Sequence, residues 1–108
     1  MLSKKLSKIS DALLAVTDNV GHYEALNADD QYIVWAEDSE SDSVHADNAK
    51  KIQTIQGTID YFTKKDGDET VDKIQTALDE TDGVTYRLSS VQYEEETGFI
   101  HYEWLWEV

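Results

Sequence analysis

The last ten residues, FIHYEWLWEV, alternate strictly between two kinds of side chain. Successive residues of a strand point to opposite faces of a sheet, so Ile100, Tyr102, Trp104, Trp106 and Val108 share one face. That face is too large and apolar to stay in water and must be covered. Phe99, His101, Glu103, Leu105 and Glu107 form the other, more polar face. The same period runs through KIQTIQGTIDYFTK, with Ile55, Gly57, Ile59 and Tyr61 against Thr54, Gln56, Thr58 and Asp60. Gly57 in mid-strand marks either a bulge or a close approach of another group to the backbone. The shared alternation of Trp104 and Trp106 with Ile100 and Val108 assigns both indoles to the core rather than to stacking on a ligand.

Something with a helical period must cover such a face. Leu2, Leu6, Ile9, Leu13 and Val16 recur at spacings of four and three, which predicts an amphipathic helix over about residues 3–17. Its stripe spans only about two heptads, so it serves packing on the chain's own sheet better than a coiled coil. Asn19 and Gly21 break it, and HYEALNADDQ reads as a short strand or an irregular link. Tyr32, Ile33, Val34 and Trp35 then form a strand that the acidic run after Ala36 is expected to end. This strand and the one around Ile59 are expected to pair as a long hairpin. Asp66-Gly67 makes a turn, and Asp68 and Glu69 are placed in the first turn of a second helix, where the helix dipole favours them. Val71, Ile74, Ala77 and Leu78 give that helix its buried stripe, and it closes near Gly83. Two further strands flank a turn at Glu95 to Gly98. The order is helix, strand pair, helix, strand pair. It defines an α+β domain whose antiparallel sheet takes both helices on one side.

With 108 residues the chain has room for a single domain, 1–108, that buries roughly two thirds of its unfolded surface. It contains no cysteine, which removes disulfides, thiolate metal sites and a thiol nucleophile. No 18-residue apolar span follows the lysines at the start, so a soluble intracellular protein without a membrane partner is expected. The net charge is −14, from 23 acids and nine bases, and it repels phosphate backbones at long range. Lys4, Lys5 and Lys8 make one basic cluster, a solvated helix face rather than a DNA contact.

The segment VWAEDSESDSVHADNAKK carries Glu37, Asp38, Glu40, Asp42 and Asp47 together with His45. Asp38, Glu40 and Asp42 alternate like calcium ligands, but neither the turn glycine nor the closing bidentate acid of a calcium loop follows. His22, His45 and His101 lie on three different elements, without the spacing of a zinc site. Neither a GxSxG nor a GxxxxGK pattern occurs, and Glu94, Glu95 and Glu96 sit in a hairpin turn where side chains diverge into water. No enzyme and no cofactor are expected.

The ordered pieces QYIVWAE, a loop with His45-Ala46-Asp47, IDYFTK, VDKIQTALDE and TGFIHYEWLWEV resemble the tail terminator (tail completion) proteins of long-tailed bacteriophages and prophages over nearly the whole chain. The chain departs from that pattern in having Asp30-Gln31 where a proline usually precedes the central strand. The resemblance implies a structural virion protein that forms a homo-hexameric ring and caps the tail tube at its head-proximal end. It implies contacts with the tail tube protein and the head connector protein, with DNA passing through unbound. The protein would be found in the virion tail, and in the host cytoplasm during assembly. On this reading the acidic segment, Glu37, Asp38, Glu40, Asp42, His45 and Asp47, is an assembly or channel loop. Two other classes fit an acidic protein of this size, a DNA mimic that blocks a nuclease or repressor and a different head–tail connector (neck) protein.

Overall fold

A computed structural model describes residues 2–41 and 53–108 of the chain. In chain order the elements are α1 (Leu2–Leu14), β1 (Val20–His22), β2 (Gln31–Glu40), β3 (Ile55–Thr63), α2 (Thr70–Asp79), β4 (Thr85–Glu94) and β5 (Phe99–Glu107). The strands form one sheet in the order β1-β2-β3-β5-β4. Every neighbouring pair is antiparallel except β1 and β2, which run parallel from Val20↔Ile33 to His22↔Trp35. The α+β class and the order helix, strand pair, helix, strand pair are as expected, with the three-residue β1 added at the edge.

The alternation sets the two faces. Along β3 the residues Ile55, Gly57, Ile59, Tyr61 and Thr63 are all buried, and each intervening side chain is half-buried. The ladders place Trp106 beside Gly57, Trp104 beside Ile59 and Tyr102 beside Tyr61. Ile9, Ala12 and Leu13 of α1 and Ile74 and Leu78 of α2 close over this face in one cluster with Ile33, Trp35, Trp104 and Trp106. The two indole N–H groups of β5 have partners: Trp104 Nε1 donates to Gln75 Oε1 at 3.1 Å, and Trp106 Nε1 to the Thr58 carbonyl at 3.0 Å. A large ring buried with its polar atom satisfied contributes its full apolar area to stability.

Gly57 resolves as a close approach. A Cβ there would collide with the Ala36 carbonyl oxygen and with the ring of Trp106, so the indole lies where any other residue would put its side chain. The β-bulge lies instead on the partner strand, between Glu37 and Ser39.

Three boundaries differ from the sequence reading. Helix α1 ends at Leu14, and Ala15 and Val16 continue only as a turn, with Val16 N–H bonded to the Leu13 carbonyl. Asp68 and Glu69 precede α2 instead of lying in its first turn. Strand β2 does not stop at Ala36. It pairs with β3 as far as Glu40↔Ile55, because backbone ladder bonds are available to acidic residues as to any others.

Trp104 is fully buried, whereas Glu103 lies on the opposite face directly across from Asp60. Trp104→Ala should therefore cost about 3–5 kcal/mol. Removing Glu103 also removes a like-charge neighbour, and Glu103→Ala should change stability by less than about 0.5 kcal/mol. Urea midpoints of the two variants measure this; equal shifts would reverse the assignment of the β5 faces.

Candidate functional site

Three groupings of polar side chains stand out, and the acidic end of β2 is the first. Trp35 and Glu37 follow Ile33 on the helix-side face. In β1 the ring of His22 stacks on Trp35 with centroids 3.9 Å apart, and Tyr23 stacks on His22 at 4.0 Å. Tyr23 reaches this position because its backbone is left-handed, φ 73°, while its N–H still bonds to the Trp35 carbonyl at 2.8 Å. The carboxylate of Glu37 closes the cluster, one oxygen 2.6 Å from His22 Nε2 and the other accepting from the Tyr23 hydroxyl at 2.6 Å. Partial burial works against ionisation of Glu37, but the hydrogen bonds from Tyr23 and His22 outweigh it and lower its pKa. The same bond raises the pKa of Tyr23.

Glu37 is therefore a cross-link between β1 and β2, not an acid of a free loop. Asp38, at the bulge, and Glu40 are exposed at the end of β2. Asp42, His45 and Asp47 lie outside the described residues.

The second grouping lies on the uncovered face of the sheet, where no described helix packs. Phe62 stacks on Tyr32 at 4.7 Å and on His101 at 4.2 Å, and Phe99 meets both Tyr32 and Phe62 edge-on. Lys64 Nζ stands 5.0 Å from the centre of the Phe99 ring. Beside the aromatics His101 Nε2 is 2.7 Å from Asp60 Oδ1. Asp60 is itself the cross-strand partner of Glu103, an arrangement of like charges that a sheet ordinarily avoids and that the imidazole offsets. Toward the other end, Asp38, Gln56, Thr85, Arg87, Leu105 and Glu107 border a shallow groove of about 350 Å³.

The third grouping surrounds Asp68, which is 5% exposed. One carboxylate oxygen accepts from the Tyr61 hydroxyl at 2.6 Å, the Thr63 hydroxyl at 2.7 Å and Gln31 Nε2 at 2.7 Å. The other accepts the Thr70 backbone N–H at 2.9 Å, capping the start of α2. Burial alone would raise the Asp68 pKa, but these four donors hold it far below the usual carboxylate range. Burial, reinforced by Asp68, pushes Tyr61 up to about 12.

No group of three or more His, Cys, Asp or Glu side chains that could hold a metal ion occurs among the described residues. His22 and His101 each take a single carboxylate partner on separate parts of the sheet. No described helix is long and apolar enough to cross a membrane. Glu95 and Glu96 are exposed at the β4–β5 turn, and Thr97 Oγ1 lies 3.1 Å from Glu94 Oε1. The His22–Glu37 and Asp60–His101 pairs escape sequence reading because each joins strands through a register that neither strand's pattern specifies. The sequence signal for the second was a His and an Asp, each on the polar side of an alternating run. The chain matches no protein-family model and no curated protein.

Asp68 provides a test of these electrostatics. Its folded pKa lies below the unfolded value of about 3.9, so its stabilisation is complete above about pH 5 and is lost as pH falls toward the folded value. Asp68→Asn keeps a single acceptor oxygen, so whichever way the amide turns its NH2 meets a donor, either the three side chains or the Thr70 N–H, and the change should cost about 2–4 kcal/mol at pH 7. The gap between wild type and variant, measured by urea unfolding, should narrow at pH 3. A gap of unchanged size would show that the carboxylate charge is not what the donors recognise.

Proposed function

We propose that this chain is a structural subunit of a phage tail, forming a ring that caps the tail tube and joins it to the head. The observation that carries this reading is the one-sided sheet. Two helices cover one face, and the other is left bare with Asp60, Glu103 and Glu107 along it and Asp38 at its end. On this face Asp60 and Glu103 oppose each other with one histidine, His101, to offset them, an arrangement from which a lone domain gains little. In a ring, the same acids repeated in every subunit repel the DNA backbone and let it pass without adhering. The two histidine–carboxylate pairs each fix a side chain between strands, a structural use of these groups.

On this proposal the ring is a homo-hexamer, its partners are the tail tube protein and the head connector protein, and it needs no cofactor. Within the acidic segment Asp38, Glu40, Asp42 and Asp47 do the work in assembly or in the channel. Glu37 serves the fold by holding Tyr23 and His22.

The test is complementation of a phage lacking the gene, with tails measured by electron microscopy. Loss of the protein should give overlong tails; normal tails on leaking heads would identify a head-side connector instead. Changing Asp38, Glu40, Asp42 and Asp47 together to Asn and Gln should leave the melting temperature within a few degrees of wild type, since neutralising a run of like charges relieves mutual repulsion and Asp38 and Glu40 are exposed. It should impair tail termination or DNA ejection. Full infectivity of this variant would reduce the four acids to solubilising groups.

A further inference from the structure

The two edges of the sheet are unequal. Edge strands offer unpaired backbone groups to other chains, and proteins usually guard them with lysine, proline, short length or bulges. Strand β4 forms one edge with ten residues, TYRLSSVQYE, containing neither lysine nor proline. Its one guard is an irregularity between Leu88 and Ser90. Helix α2 reaches over β4 at Tyr86, whose hydroxyl bonds to Asp79 Oδ1 at 2.7 Å. Farther along the same side, Leu88, Val91 and Tyr93 are 45%, 51% and 65% exposed.

The opposite edge is the short β1 and the turn that follows it. Tyr23 and Leu26 project there, 63% and 69% exposed. The turn is built tightly: at Gly21 a Cβ would strike the Glu24 carbonyl and the Leu26 amide. Tyr23 is held by its hydrogen bonds to Trp35 and Glu37. The fixed projection of Tyr23 and Leu26 and a weakly guarded strand with three exposed apolar side chains therefore lie on opposite sides of one sheet.

Charge indicates what meets them. Strand β4 carries one base, Arg87, and one acid, Glu94, so it is neutral in a chain of net charge −14. Two copies meet there with less repulsion than along β2, which carries Glu37, Asp38 and Glu40 and no base. Arg87 is the chain's only arginine, and it makes no ion pair among the described residues. The ladders put it level with Ala36, in the row Arg87, Leu105, Thr58, Ala36.

We infer that the β4 edge of one copy docks on the Tyr23/Leu26 edge of a second copy, head to tail. Leu88, Val91 and Tyr93 then cover Tyr23 and Leu26, and Arg87 faces the acids at the end of the neighbour's β2. A contact between different edges propagates around a ring, whereas a two-fold contact stops at a dimer. An antiparallel β4–β4 dimer would leave Tyr23 and Leu26 in water and bring Glu94, Glu95 and Glu96 of each copy toward Asp82 of the other. The inference deepens the proposed ring and rests on that reading for closure, while the contact itself rests on the two edges.

Because the chain has no cysteine, the contact can be tested directly. Val91→Cys and Leu26→Cys place thiols on the two edges, and a short bis-maleimide is applied at high salt, where repulsion between acidic copies is screened. Circular dichroism verifies that each variant is folded. Mixing V91C with L26C should give cross-linked heterodimers well above a control pair with the thiol at exposed Ser3, while each variant alone stays uncross-linked. The double variant V91C/L26C should give a ladder that ends in one closed species. Homodimers of V91C alone would overturn the inference in favour of a two-fold β4 contact, and cross-linking of the mixture no stronger than the Ser3 control would overturn it outright. Rings seen by electron microscopy without the V91C–L26C product would refute the contact but leave the ring reading standing. An open ladder that never closes would establish the contact and refute the ring.

Discussion

The carboxylate of Asp68 joins the helix layer to the sheet. It gathers donors from Gln31 at the start of β2, Tyr61 and Thr63 at the end of β3, and the first backbone amide of α2. A buried charge is tolerated only when its hydrogen-bonding capacity is filled, and here four donors fill it. They fix where α2 begins relative to both central strands. Gln75 on α2 is then placed to accept the Trp104 N–H, and Asp79 to accept from Tyr86. The apolar stripe of α2 meets the tryptophan face as a consequence.

The tryptophan face has its own constraint in Gly57. With no side chain on the central strand at that point, the ring of Trp106 occupies the space that a Cβ would take, and Trp35 approaches it at 6.3 Å between ring centres. The depth of this packing concentrates the core on one side of the sheet. Leu88, Val91 and Tyr93 remain exposed on one edge strand while Tyr23 and Leu26 remain exposed at the other.

The bare face combines features that pull in different directions. Tyr32, Phe62, Phe99 and His101 form a half-buried aromatic cluster that stiffens the start of β2 and the β3–β5 ladder. Next to it, Asp60 and Glu103 oppose each other, and His101 holds one of the two carboxylates. The cluster stabilises the sheet without a covering layer, and the acids keep the remaining surface strongly hydrated. Glu37, Asp38 and Glu40 show how local context divides one acidic run: the first is drawn into a hydrogen-bonded cluster, and the other two point to solvent.

Period alone determined much of this protein. The two-residue alternation of Ile55 to Tyr61 and of Ile100 to Val108 identified the buried face, and the spacings of Leu6, Ile9 and Leu13 and of Ile74 and Leu78 identified the helix faces that cover it. A side chain's direction along one element follows from its position in that element, so these features are local and readable in sequence. The extension of β2 through its acids, the parallel β1, the capping role of Asp68 and the pairs His22–Glu37 and Asp60–His101 were decided only by the tertiary structure. Each depends on the register between segments distant in the chain, and register is set by packing of the whole core rather than by the residues of either segment alone.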